Sequence, residues 1–128
     1  MFDIIHEINT FTDECIAITK EVPDKLDYTK AETLAGNPFK CTEQVEEVFN
    51  AGIENLKKKA GSYGMFSIFI NTLIRECEFR FTETAYESQL ETRKRMNNAR
   101  HEFIESGRGA ELFACWKPDP VWRLNCDD

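Results

Sequence analysis

The chain has 128 residues, 41% of them hydrophobic and 30% charged, with a formal net charge of -7. That length suits one domain and leaves little room for two, so residues 1–128 are read as a single helical unit with a tail over 109–128. The acidity argues against a direct nucleic-acid binder, because phosphate contacts dominate that affinity, and points to a protein with a basic surface as partner.

Ile4, Ile5, Ile8, Phe11, Cys15, Ile18 and Val22 recur at three- and four-residue steps, which predicts an amphipathic helix over 3–21. Asp3 is placed to cap it, and Pro23 follows its end. Over 23–41 turn signals dominate. Thr29-Lys30-Ala31-Glu32 has the capping-box pattern and predicts a short helix over 30–35. Asn37-Pro38 then enforces an extended or turn conformation.

A long helix is predicted from Glu43 to Ala60, with Thr42 as N-cap and Val45, Val48, Phe49, Ile53, Leu56 and Ala60 as its buried stripe. Glu43, Glu46 and Glu47 open it and Lys57, Lys58 and Lys59 close it, an order that complements the helix dipole. Gly61-Ser62-Tyr63-Gly64 breaks the pattern. Residues 65–77 are the most hydrophobic stretch, and a helix apolar nearly all round is normally the central one. Cys77, Phe79 and Phe81 alternate with polar residues as a strand would, but a lone strand has no evident partner. Helix is therefore preferred, with a kink near Thr82–Thr84. A further helix runs from Thr84 to Ser106 and stops at Gly107. Pro118 and Pro120 forbid a regular helix around them, so 109–128 reads as a non-helical aromatic strap. The fold expected is all-α, an irregular bundle of four to five helices.

Five cysteines, at 15, 41, 77, 115 and 126, are scattered without a Cys-x-x-Cys pair. That spacing fits reduced thiols of a cytoplasmic protein, with Cys15 and Cys77 as small core residues. The N-terminus places acids where a signal peptide needs bases. The run from Met65 to Ile74 is too short to span a bilayer, so no membrane association is expected.

The motifs of catalysis are missing. His6 and His101 fall in no zinc spacing. No Gly-x-Ser-x-Gly elbow or phosphate loop occurs, and no cofactor is expected. Glu43, Glu46 and Glu47, with Glu76 and Glu78 or Glu102 and Glu105, resemble the magnesium-clamping acids of helical nucleotide pyrophosphohydrolases. That likeness lacks the family's second motif with its spaced Asp, and Glu43 and Glu46 are explained by the helix dipole. Arg93-Lys94-Arg95, with Arg100 following, reads as a solvated helical face.

Glu83, Glu87 and Glu91 recur every four residues. Like charges at that spacing repel, so local helix stability does not select for them. Spaced acids on a rigid helix can imitate nucleic-acid phosphates and occupy a basic groove. In size, charge and absence of catalytic motifs the chain resembles small acidic inhibitors from bacteriophages. Trp116 and Trp122 flank a stiff segment and are the candidate apolar anchors. The expectation is a non-enzymatic, protein-binding regulator or inhibitor, a viral protein by that resemblance. Its contacts are Glu83, Glu87, Glu91, Trp116 and Trp122, with no catalytic or metal-ligating residues. The alternatives are a homo-oligomeric assembly subunit and a helical metal-dependent nucleotide phosphohydrolase.

Overall fold

The structure is a computed structural model that describes residues 2–116; Trp122, Pro118 and Pro120 lie outside the described residues. Among those described, every regular element is a helix, and the fold is all-α. The helices are α1 (Phe2–Lys25), α2 (Ala31–Leu34), α3 (Glu43–Ala60), α4 (Ser67–Glu105) and α5 (Gly109–Cys115), with 3-10 turns at Pro38–Lys40 and Gly61–Phe66.

Cross-helix contacts give the directions of the three long helices. Asp13–Arg80 (2.9 Å), Thr19–Ser88 (2.7 Å) and Asp24–Arg95 (2.6 Å) advance together along α1 and α4, so these two run parallel. Glu7–Lys59 (2.8 Å) ties α1 to the end of α3, and Thr42–Gln89 (2.8 Å) ties the start of α3 to the middle of α4. Helix α3 is therefore antiparallel to both.

Each long helix contributes one ring to the centre. Phe49 of α3 lies between Phe11 of α1, with centroids 5.8 Å apart, and Phe81 of α4, 4.0 Å away. Ile8, Ile53, Ile70, Ile74 and Cys77 fill in around the stack. Gly52 is there because of Phe11: a Cβ at this position would sit 2.1 Å from the ring's Cζ. A smaller second core joins Ala31 and Leu34 of α2 to Phe103 of α4 and Leu112 of α5. Cys15 and Cys77 are buried, as their helical positions predict.

The structure departs from the sequence reading at several points, each with a local cause. Helix α1 does not stop before Pro23 but runs through it to Lys25. Proline lacks the N–H that would bond the Thr19 carbonyl. The Ser88 hydroxyl of α4 donates to that carbonyl instead, at 2.7 Å. Thr42 precedes α3 but does not cap it; its hydroxyl donates to Glu46 and accepts from Gln89. Thr29 caps nothing either, because its N–H and hydroxyl both donate to Asp27. These two bonds, the hydroxyl's first, hold the Asp27 carboxyl below the usual carboxylate range.

Residues 67–105 form one unbroken helix, with no kink at Thr82–Thr84. The Thr84 hydroxyl bonds back to the Arg80 carbonyl (2.9 Å) rather than starting a new helix. Gly64 (φ +60°) and Gly107 (φ +86°) supply the left-handed turns at either side of it, a conformation that glycine adopts without a Cβ penalty. The segment from Gly109 to Cys115 is helical, not strap-like. The prolines that argued otherwise lie further on, and Arg108 pairs with Glu111 through two bonds of 3.0 and 3.1 Å.

The 65–77 stretch is only partly interior. Ile70, Ile74 and Cys77 are buried, whereas Met65, Phe66, Ile68 and Phe69 are exposed. Helix α4 does contact every other helix, but in its first turns α3 has just ended and α1 has just begun, so one flank alone is covered. Val48, assigned to the buried stripe of α3, also faces out.

Two stability outcomes follow from buried polar groups. Thr12 is fully buried and its hydroxyl has no partner. Thr12→Val is expected to stabilise the fold by about 1 kcal/mol, since an unsatisfied buried hydroxyl is destabilising on that scale; urea titration measures it. Ser88→Ala is expected to destabilise by about 1–3 kcal/mol by orphaning the Thr19 carbonyl. In a Pro23→Ala background the restored N–H takes that carbonyl, and the same Ser88 substitution should do less harm. Equal effects in both backgrounds would show that the two groups are not coupled.

Candidate interaction surface

The three acids singled out in sequence do lie along α4, but they do not act as one stripe. Steps of four residues advance about 40° beyond a full turn, so the row winds around the helix. Glu83 points outward. Glu87 and Glu91 turn toward α1, where they line a small pocket with Lys20, Asp24, Ser88 and Arg95. Glu91 is already engaged: Arg95 Nε donates to it at 3.0 Å, while Arg95 Nη1 donates to Asp24 (2.6 Å) and to the Pro23 carbonyl (3.2 Å). Asp24 first, and Glu91 second, raise the Arg95 pKa above its ordinary value.

The basic cluster is likewise divided. Arg93 and Lys94 are exposed, as a solvated face would be. Arg95 and Arg100 are structural. Arg100 donates through Nε to the Leu34 carbonyl and through Nη2 to the Gly36 carbonyl (3.1 Å), closing the open end of α2. Burial of this guanidinium lowers its pKa from the ordinary value. Its Cζ also lies 5.4 Å from the centroid of the Trp116 ring. Trp116 is half-buried.

The acids that could have clamped a metal are dispersed. Glu46 accepts from Thr42 (3.2 Å) and Glu78 pairs with Lys57 (3.6 Å). Among the described residues no group of three or more His, Cys, Asp or Glu side chains is arranged to hold a metal ion. Cys15, Cys41, Cys77 and Cys115 are free thiols. Burial is the first cause raising the Cys41 pKa, and the same holds for Cys15. Both shifts work against thiolate nucleophilicity. A groove of about 730 Å³ runs between α1 and α3 over Phe11 and Leu56.

What the sequence reading missed is the outward face of α4. Phe79 is 69% exposed and Tyr86 56%, and Leu90 follows at 39%. Steps of seven and four residues are close to two turns and one turn, so the three side chains form a line opposite the buried Ile70, Cys77 and Ser88. Glu76 and Glu83 border this line, and both are exposed. The signal was present as the i, i+7, i+11 spacing, but it was submerged in the alternation of Cys77, Phe79 and Phe81. At a second place, the end of the bundle where α3 turns into α4, Phe2, Met65, Ile68 and Phe69 are also exposed. Among the described residues no helix is long and apolar enough to cross a membrane.

Compared with protein-family models, curated proteins and solved structures, the chain matches none.

The division among the acids is testable by thermal unfolding. Glu91→Lys is expected to lower the melting temperature, because it breaks the Arg95 network between α4 and the end of α1. Glu83→Lys, made at a solvated position, is expected to leave it nearly unchanged.

Proposed function

We propose that the protein is a non-enzymatic binding protein, a regulator or inhibitor that engages a target protein through the outward face of α4. The observation that carries this is the exposed line of Phe79, Tyr86 and Leu90 bordered by Glu76 and Glu83. Apolar anchors at helical spacing on a rigid helix are the form in which helices occupy grooves on other proteins. The flank formed by Glu76 and Glu83, in a chain of net charge -7, suits a groove that is basic on that side and speeds the encounter, while Arg75 and Arg93 stand on the other flank. The sequence-derived contact set is thereby redrawn. Glu83 stays in it, Glu87 becomes peripheral, and Glu91 and Trp116 are assigned to the fold.

A second reading, self-association, has its own observation. Glu76 and Lys94 lie on the same flank of this line, beyond Phe79 and Leu90 respectively. A second copy packed antiparallel would therefore set Phe79 against Leu90 and Glu76 close to Lys94.

Affinity capture with the full chain, followed by light scattering, separates the two. A Phe79→Ser, Tyr86→Ser variant is expected to lose its captured target at least tenfold. Glu83→Lys should weaken capture and reduce its sensitivity to salt. Unchanged capture by the double variant would overturn the assignment. A wild-type mass twice the 14.9 kDa of one chain, halved by the same substitutions, would place the second reading first.

A further inference from the structure

We infer that the chain's own residues 117–128 dock along the outward face of α4, over Leu90, Tyr86 and Phe79. The sequence of this segment calls for a surface. From Trp116 to Cys126 every second residue is apolar, with Pro118, Pro120, Trp122 and Leu124 between them, and the intervening residues are polar except Val121. In an extended chain a period of two puts the apolar set on one side. Pro118 and Pro120 keep Lys117 and Asp119 out of the helical region. Trp116 itself leaves α5 with extended backbone (φ -71°, ψ 119°).

The exit gives the direction. A Cβ on Gly109, at the start of α5, would stand 3.8 Å from Ile104, whereas Trp116, past its end, lies beside Arg100. Helix α5 therefore runs back along α4, and the chain leaves it heading toward Leu90. Distances then match level by level. From Arg100, Arg93 is about 10 Å back along α4, Tyr86 about 21 Å, Phe79 about 32 Å and Arg75 about 38 Å. From Trp116, an extended chain covers about 10 Å to Asp119, about 20 Å to Trp122, about 33 Å to Cys126 and about 38 Å to Asp127 and Asp128. Trp122 thus comes level with Tyr86, one turn from Leu90, and Cys126 comes level with Phe79.

Charge agrees with this register. Arg93 and Arg75 lie two turns and seven turns from Arg100, on the same flank of α4. Both are exposed, and neither enters an ion pair among the described residues. Asp119 comes level with Arg93, and Asp127 and Asp128 with Arg75. Glu76 and Glu83 stand on the far flank, where Arg123 comes level with Glu83. The other exposed apolar group is out of range. Phe69 lies about 46 Å from Arg100, beyond the roughly 43 Å that twelve fully extended residues span. Docked in this way, the segment competes with a target for Phe79, Tyr86 and Leu90; that consequence rests on the proposed function, and the docking itself does not.

Trp122 is one of two tryptophans, so acrylamide quenching of the full chain reads its exposure once Trp116→Phe has removed the other. Trp122 is expected to be quenched severalfold more slowly than free tryptophan. Phe79→Ser with Tyr86→Ser should bring it to the free rate. Arg75→Glu with Arg93→Glu should speed quenching, and adding Asp119→Lys with Asp127→Lys should slow it again. Circular dichroism checks that each variant is folded. Should Trp116→Phe fail to fold, the difference between the wild type and Trp122→Phe supplies the same reading. Quenching of Trp122 at the free rate in the folded chain would overturn the proposal, as would shielding indifferent to the α4 substitutions. Shielding that rises with protein concentration alongside a doubled mass would also overturn it, assigning the segment to the face of a second copy. Competition is read separately by affinity capture, in which Trp122→Ser should raise the captured target severalfold. If capture ignores Phe79→Ser with Tyr86→Ser while that same change exposes Trp122, the target reading fails and the docking stands.

Discussion

The stack of Phe11, Phe49 and Phe81 is the constraint on which the arrangement depends. It takes one ring from each long helix, with Phe49 in the middle. The contact sets the height at which the three helices meet. It also dictates a glycine on α3, because Phe11 occupies the space a Cβ at Gly52 would need. Once α1 and α4 are fixed side by side at this level and parallel, the polar contacts further along fall into register. Asp13 reaches Arg80, the Thr19 carbonyl reaches Ser88, and Asp24 reaches Arg95. Each is modest alone; their common direction follows from the packing.

Much of this was legible in the sequence where one side chain decides its own environment. The bounds of α3 follow from its charge order and apolar spacing, and Ile4, Ile8 and Cys15 on α1 are where a period of 3.6 puts them. What was not legible depended on partners distant in the chain. Pro23 reads locally as a stop, and only Ser88, 65 residues later, makes the helix continue through it. Thr42 reads as a cap until Gln89 engages its hydroxyl. The hydrophobicity of 65–77 was a true observation. Its burial was not implied, because hydropathy records what a residue would prefer and not whether a neighbouring helix reaches that far.

The candidate surfaces show the same division. Spacing located Glu83, Glu87 and Glu91 on one helix, yet it could not tell that Arg95 takes Glu91 for the fold. Apolar residues at 79, 86 and 90 belong to a helix whose inner face was already supplied with Phe81, Ala85 and Ser88. Only once that inner face is identified does the outer set become surplus, and so informative about binding.

The length of α4 has a consequence for how the molecule comes apart. Its first part belongs to the three-ring core and its last turns to the small core of Ala31, Leu34, Phe103 and Leu112. Three buried apolar residues on helices of four and seven residues, packed on Phe103 of α4, cannot sustain an independent cooperative unit. The distal end should therefore open as a subglobal fluctuation while the rest persists. Its amides would exchange with solvent well before those around Phe49. With no interruption in α4 between the two cores, fraying from that end would travel along the helix until it met Ser88 and the Thr19 carbonyl.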